Sequence, residues 1–154
     1  MDRVPVSARR ATLGVGGGPM TQHTRASLRQ VVLDTTDTRA LAEFYRELLG
    51  YEYRDGDETP DPDDGWLSLV PPGGGVQVCF QQVPSLPEST WPEDGVPQQL
   101  HLDLTVPDQE SMRAEHERIL GLGARLLLDE SDDPDEALYV YADPAGHPFC
   151  LFVG

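Results

Sequence analysis

Like residues recur 71 positions apart along this chain: Gln30 is matched by His101, Asp37 by Asp108 and Cys79 by Cys150. Gly50 and Gly123 are 73 apart, which makes the second of two helices about two residues longer than the first. A period this long in a chain of 154 residues leaves room for two copies of one supersecondary unit. A single four-stranded unit leaves a curved apolar face that only a second unit can cover, so the duplication predicts two halves sharing a concave sheet.

Hydrophobic periodicity fills in each copy. Leu28–Asp34 reads as a strand, with Val31 and Leu33 on one face and Gln30, Val32 and Asp34 on the other. Thr36 and Asp37 supply a capping signal. Ala40, Leu41, Phe44, Tyr45, Leu48 and Leu49 then form one helical stripe, stopped by Gly50. Tyr51–Arg54, Trp66–Val70 and Val76–Val83 are three further strands, divided by an acidic Pro/Gly loop and by Pro71–Gly75. After a Pro-rich connection from Pro84 to Pro97 the order returns: strand Gln99–Val106, helix Gln109–Leu122 capped by Asp108, then strands Ala124–Leu128, Ala137–Tyr141 and Pro148–Val153. The expected fold is α+β, two βαβββ half-repeats (28–83 and 99–154) forming an open, concave eight-stranded mixed sheet with helices on its outer face. Residues 1–27 carry four arginines and a Gly16–Pro19 stretch without apolar periodicity, and are expected to be a tail outside the domain at 28–154.

Charge excludes some functions. With 27 acidic residues against 11 basic ones, all Arg, the formal charge is −16. Such a surface repels phosphate backbones and anionic lipid faces, so neither nucleic acid nor membrane is expected as a partner. The acidity also fits a merely solvated surface, or steering of cationic ligands. No stretch approaches the roughly 18 apolar residues of a membrane span, and no leader pattern is visible, so a cytoplasmic protein is expected. Cys79 and Cys150 stand inside apolar strands, where cysteine behaves as a small buried hydrophobe rather than as half of a disulfide.

Several residues join these patterns in an order that resembles a known family. Asp37-x6-Phe44-Tyr45-x2-Leu48-Leu49-Gly50, His101-Leu102-Asp103-Leu104 and Asp143-Pro144-Ala145-Gly146-His147-Pro148-Phe149-Cys150-Leu151 are similar to the vicinal oxygen chelate superfamily, and within it to the glyoxalase-like group that includes glyoxalases, bleomycin resistance proteins and dioxygenases. The resemblance covers about residues 28–154. It implies paired modules, often in dimers, around a U-shaped cavity where many relatives bind a divalent metal and a substrate. The family's metal ligands lie on the first and last strands of each half, which here are Gln30, Cys79, His101 and Cys150. Relatives that act as lactoylglutathione lyases commonly carry Glu where this chain has the two cysteines.

That departure bears on chemistry. A glyoxalase site needs hard oxygen and nitrogen ligands and a carboxylate to move a proton beside a carbonyl. Without either Glu, that base is missing, and a cavity without metal is the expectation. A Gln30, Cys79, His101, Cys150 set is the arrangement that would hold a divalent ion if one were bound.

Alternation places other groups. His101 and Asp103 are two apart and share the cavity face, with Leu100, Leu102 and Leu104 turned to the helix side. A carboxylate beside an imidazole suits proton exchange near neutrality, so His101 and Asp103 are the candidate acid/base pair, against the plainer reading of a buried structural histidine. Gln30 and Asp34 share the corresponding face of the first half, and Gln77 and Gln81 the face of Cys79. The candidate ligand-binding set is thus Gln30, Asp34, Cys79, Gln81, His101 and Cys150. Polar groups at depth cost roughly 1–3 kcal/mol each unless paired, which favours a wet or ligand-filled trough. His147 reads as a surface-loop residue and His116 as a solvated helix residue. Trp91 in the connection reads either as an aromatic wall or as a pin for the linker.

The functional expectation is a small-molecule-binding protein, with a homodimer open. Two alternatives stand: a lyase, isomerase or dehydratase using His101 with Asp103, and a bleomycin-resistance-like protein that sequesters a cationic or aromatic compound.

Overall fold

The computed structural model describes residues 26–154; the expected tail lies outside them except for Ala26 and Ser27. Each half starts with a strand whose alternate residues are aliphatic, β1 (Gln30–Thr35) and β5 (Leu102–Val106). Each strand runs into a helix through an aspartate. Asp37 Oδ1 accepts the Ala40 amide at 2.9 Å to open α1 (Thr38–Leu49), and Asp108 Oδ1 accepts the Ser111 amide at 2.7 Å to open α2 (Gln109–Gly121). Gly50, at φ 65°, ends α1 and returns its amide to the Arg46 carbonyl, a left-handed cap that a side chain would strain.

Three strands follow each helix: β2 (Glu52–Tyr53), β3 (Trp66–Val70) and β4 (Gln77–Gln82), then β6 (Arg125–Glu130), β7 (Leu138–Ala142) and β8 (Pro148–Val153). The eight strands divide into two four-stranded sheets of the same order, β1-β4-β3-β2 and β5-β8-β7-β6. In both, the first strand lies parallel to the last, with Val32 opposite Cys79 and Asp103 opposite Cys150, and the other pairs are antiparallel. The duplication read from the spacing is therefore a duplication of topology.

One face of each sheet meets its helix. Leu33, Val78 and Phe80 pack under Leu41, Phe44, Tyr45 and Leu48 of α1, and Tyr139, Tyr141, Phe149 and Leu151 join Met112 and Ile119 of α2 in the same continuous core. Large apolar side chains contribute about 1.5–3 kcal/mol each when fully buried, so this joint core is what makes two weak units one domain. Directed contacts cross between the halves on that side. Phe44 meets Phe149 edge-on at 6.0 Å, Tyr45 Oη donates to Asp143 Oδ2 at 2.9 Å, and Arg118 donates to the Glu47 and Leu48 carbonyls at the end of α1.

Some boundaries differ from the sequence reading. The strand expected from Gln99 begins at Leu102, because Pro97–His101 makes no ladder. Leu100 consequently does not turn to the helix side and is 49% exposed. Both cysteines are free and buried.

Candidate functional site

The sheet faces turned away from the helices carry the polar residues. On the first sheet Gln30, Val32 and Asp34 stand beside Gln77, Cys79 and Gln81, as the parallel register requires. Gln81 and Asp34 are exposed and Gln30 is half-buried. Cys79 is fully buried on this face, its Sγ donating to Ser68 Oγ at 3.3 Å, and Trp66 Nε1 donates to the same oxygen at 3.0 Å. Ser68, which the periodicity gave no reason to single out, therefore occupies the thiol. Only its place opposite Cys79 in the antiparallel ladder reveals it.

On the second sheet three of the expected residues meet. His101 Nε2 lies 3.3 Å from Asp103 Oδ1, and the ligand atoms of His101, Asp103 and Cys150 all lie within 4.8 Å of one another. His101 is partly exposed just ahead of β5 rather than inside it, and its Nδ1 faces Gln98 Oε1 at 3.1 Å. Trp91 lies parallel over the imidazole, with ring centroids 5.7 Å apart and planes 9° from parallel. The connection thus folds back onto the site, and the Trp91 ring becomes one of its walls. Burial pushes the Cys150 thiol up to about 11, and the Asp103 carboxylate adds to the rise by opposing a second negative charge. Cys150 is therefore a protonated thiol at neutral pH, and no nucleophile.

Imidazole, carboxylate and thiol at this spacing fit a divalent ion by number and span, and a sulfur ligand favours zinc over magnesium. Such an ion would supply a Lewis acid on the open face of the second sheet. Binding it would require Cys150 to lose its proton against burial and against Asp103. Cys79 is not one of the converging residues.

A second histidine behaves differently from expectation. His147, read as a loop residue, is half-buried, with Nδ1 2.9 Å from Asp143 Oδ2. Asp143 is buried; its Oδ1 also accepts the Ala145 and His147 amides and its Oδ2 the Tyr45 hydroxyl. An aspartate four residues before a histidine across a Gly turn was the available signal, since Asp side chains commonly accept from the backbone of their own turn. His116 is likewise not simply solvated: its Nδ1 lies 2.8 Å from Tyr141 Oη and its ring stacks on Tyr139 at 4.2 Å. The tyrosines come from a neighbouring strand, which helical spacing does not display.

A family model described as "Glyoxalase-like domain" matches residues 30–152. The chain belongs to the glyoxalase-like domain family. Solved structures agree with this glyoxalase-like assignment at the level of fold. A glyoxalase/bleomycin resistance protein/dioxygenase family enzyme from Burkholderia phytofirmans is 17% identical with TM-score 0.63, over 83% of this chain and 98% of that one. A glyoxalase/dioxygenase from Nostoc punctiforme is 17% identical with TM-score 0.63, over 91% and 98%. A variant of the fosfomycin resistance protein FosX from Listeria monocytogenes, in complex with Mn(II) and 1S,2S-dihydroxypropylphosphonic acid, is 20% identical with TM-score 0.62, over 85% and 94%. No curated protein matches the sequence. Among the described residues of this glyoxalase-like chain, no helix is long and apolar enough to cross a membrane.

Proposed function

We propose that this glyoxalase-like domain binds a small, neutral or cationic organic molecule against the open face of the second sheet, without a resident metal. The observation that carries the reading is the convergence of His101, Asp103 and Cys150, with the Trp91 ring stacked on His101. The indole offers an aromatic surface, the His101–Asp103 pair offers a polar, hydrogen-bonding edge, and the protonated thiol supplies polarizable packing. Gln30, Asp34, Cys79 and Gln81 belong to the opposing wall of the same trough in this reading, with the polar members meeting the far side of the ligand. A chain charged −16 with Asp103 in the site is poorly suited to an anion. The phosphonate ligand of the FosX relative is accordingly not carried over.

A second reading, a lyase or isomerase, rests on the 3.3 Å His101–Asp103 contact. A carboxylate beside an imidazole is the arrangement of a general acid/base, and a substrate would have to take the place of Gln98 at Nδ1 to exchange a proton there. Cytoplasmic location and a homodimer complete the proposal.

Screening a library of neutral, cationic and anionic aromatics by isothermal titration, on the parent and on His101→Ala, tests the main reading. Cationic or neutral binders whose affinity falls at least about ten-fold in His101→Ala are expected. Equal binding by both proteins would misplace the site. Stoichiometric zinc in the purified protein, lost in Cys150→Ser, would overturn the metal-free part alone.

A further inference from the structure

A separate cavity of about 110 Å³ lies between the connection and the β7–β8 turn, with Leu86, Pro87, Pro97, Leu100 and Ala145 among its walls and His147 beside them. The turn and the connection are held together closely. Gly146, at φ 95°, has no side chain because the Glu88 side chain fills that space, and a Cβ there would stand 2.5 Å from Glu88 Cγ. Glu88 is itself anchored to Arg125 at 3.1 Å. The cavity is thus bounded by two segments in fixed contact rather than by a loose loop.

His147 enters this cavity in a defined state. The Asp143 carboxylate can only accept hydrogen bonds, so the contact at Nδ1 places the ring proton on Nδ1. Whenever the ring is neutral, Nε2 carries a lone pair, and it is the ring nitrogen of His147 not used by the turn. Tyr45 stays a donor to the same carboxylate, because burial first and then the Asp143 charge hold its phenol well above the ordinary value. The ring is fixed in position and tautomer by groups that do not touch the cavity.

We infer that this cavity is a second binding site, distinct from the Trp91–His101 trough, for a small neutral compound that places one hydroxyl on His147 Nε2 and an apolar body against Leu86, Pro97 and Leu100. Size and chemistry both point this way. A dry cavity of about 150 Å³ holds a benzene ring, so this half-open one admits a ring in part, with the remainder outside. His147 lines the cavity with an acceptor the turn leaves unclaimed, so a donor that reaches it gains a hydrogen bond that an ether of the same shape cannot make. Ser89, Gln98 and Gln99 also line the cavity, but no Arg does, so nothing there neutralises an anion's charge.

Phenol and anisole, titrated separately into the full-length protein at pH 8, provide the test, followed through the side-chain nitrogen resonances of the histidines by NMR. Phenol is expected to give a saturable shift at His147 Nε2 larger than any at His101, whose Nδ1 meets Gln98 of the cavity lining, with anisole binding about ten-fold more weakly, the worth of one hydrogen bond. His147→Asn keeps a donor to Asp143 while its Oδ1 acceptor falls short of the Nε2 position, and should bring the two ligands to within about two-fold. Ala145→Leu fills the cavity and leaves the dyad alone, and should abolish the shift. Absence of a saturable shift, equal affinity for anisole, or a response at His101 instead of His147 would overturn the inference. Should His147→Asn fail to fold, Ala145→Leu decides it: a His147 shift that survives this filling means the cavity is not where phenol binds.

Discussion

Removing the Asp143 carboxylate should destabilise the whole domain, and the Tyr45 hydroxyl makes the cause measurable. Asp143→Ala takes away the acceptor for Tyr45 Oη, for the His147 ring and for two turn amides. These losses are unequal. The His147 ring and the turn amides are only partly buried and can turn to water, whereas Tyr45 is completely enclosed and its hydroxyl is stranded. A buried unsatisfied donor costs about 1–3 kcal/mol and each lost bond to a charged acceptor about 1.5–3 kcal/mol before water compensates. A total of about 3–5 kcal/mol follows, similar to breaking one partner of a buried ionic contact. In a domain of this size that lowers Tm by roughly 10–15 °C. Urea unfolding followed by circular dichroism and tryptophan fluorescence measures the loss, with an unchanged m-value showing that the native state keeps its compactness. Tyr45→Phe supplies the decisive comparison. In the parent it removes a satisfied bond and costs about 1 kcal/mol, while in Asp143→Ala it deletes the stranded hydroxyl and should be neutral or stabilising. Equal destabilisation in both backgrounds, or a loss below about 1 kcal/mol for Asp143→Ala, would refute the pairing as the source of stability.

Other consequences follow from single contacts. Arg118→Ala removes two bonds from one half to the C-terminal carbonyls of α1 in the other and should cost about 1–2 kcal/mol in urea unfolding, while Arg113→Ala on the exposed side of α2 should change stability by less than about 0.5 kcal/mol. Gly50→Ala meets no atom within 4 Å, so its cost is purely conformational, about 1 kcal/mol by thermal melt. The folded state raises the Cys150 thiol to about 11, so it favours the neutral form. The stability this gives is complete below the unfolded thiol value near 8.5 and is lost as pH rises towards 11; Cys150→Ala should flatten that alkaline slope between about pH 8.5 and 10 in pH-resolved melts. Asp103→Asn removes the repelling charge, and mass spectrometry of iodoacetamide-treated native protein should then show faster modification at Cys150 than in the parent.

How far the sequence reached follows from which forces act locally. Caps, helix stripes and strand alternation are short-range, and Asp37, Asp108, Gly50 and the aliphatic face of β1 sit where spacing puts them. The 71-residue period carried the topology as well, because a strand parallel to its partner across a helix must recur with the whole unit. Faces were legible within the strands, as at Leu102 and Leu104, whereas His101 reaches Asp103 from just ahead of β5, where alternation no longer places a side chain. What the spacing does not contain is which side chain from another element arrives opposite. His116 looked like a solvated residue among Glu115, Glu117 and Arg118, yet Tyr139 and Tyr141 reach it from β7, and no helical periodicity encodes a strand's approach. Cys79 matched Cys150 in sequence, but Ser68 engages the first thiol while Asp103 and His101 surround the second. Two positions equivalent by duplication have therefore diverged in chemistry through their neighbours. The same reasoning locates specificity. If the halves began as copies, the residues that distinguish the open face of the second sheet from that of the first are the imidazole at His101 in place of the amide at Gln30 and the Trp91 ring contributed by the connection. Exchanging His101→Gln should then weaken ligand binding as His101→Ala does while leaving the fold intact, because the first half already folds with glutamine at that place.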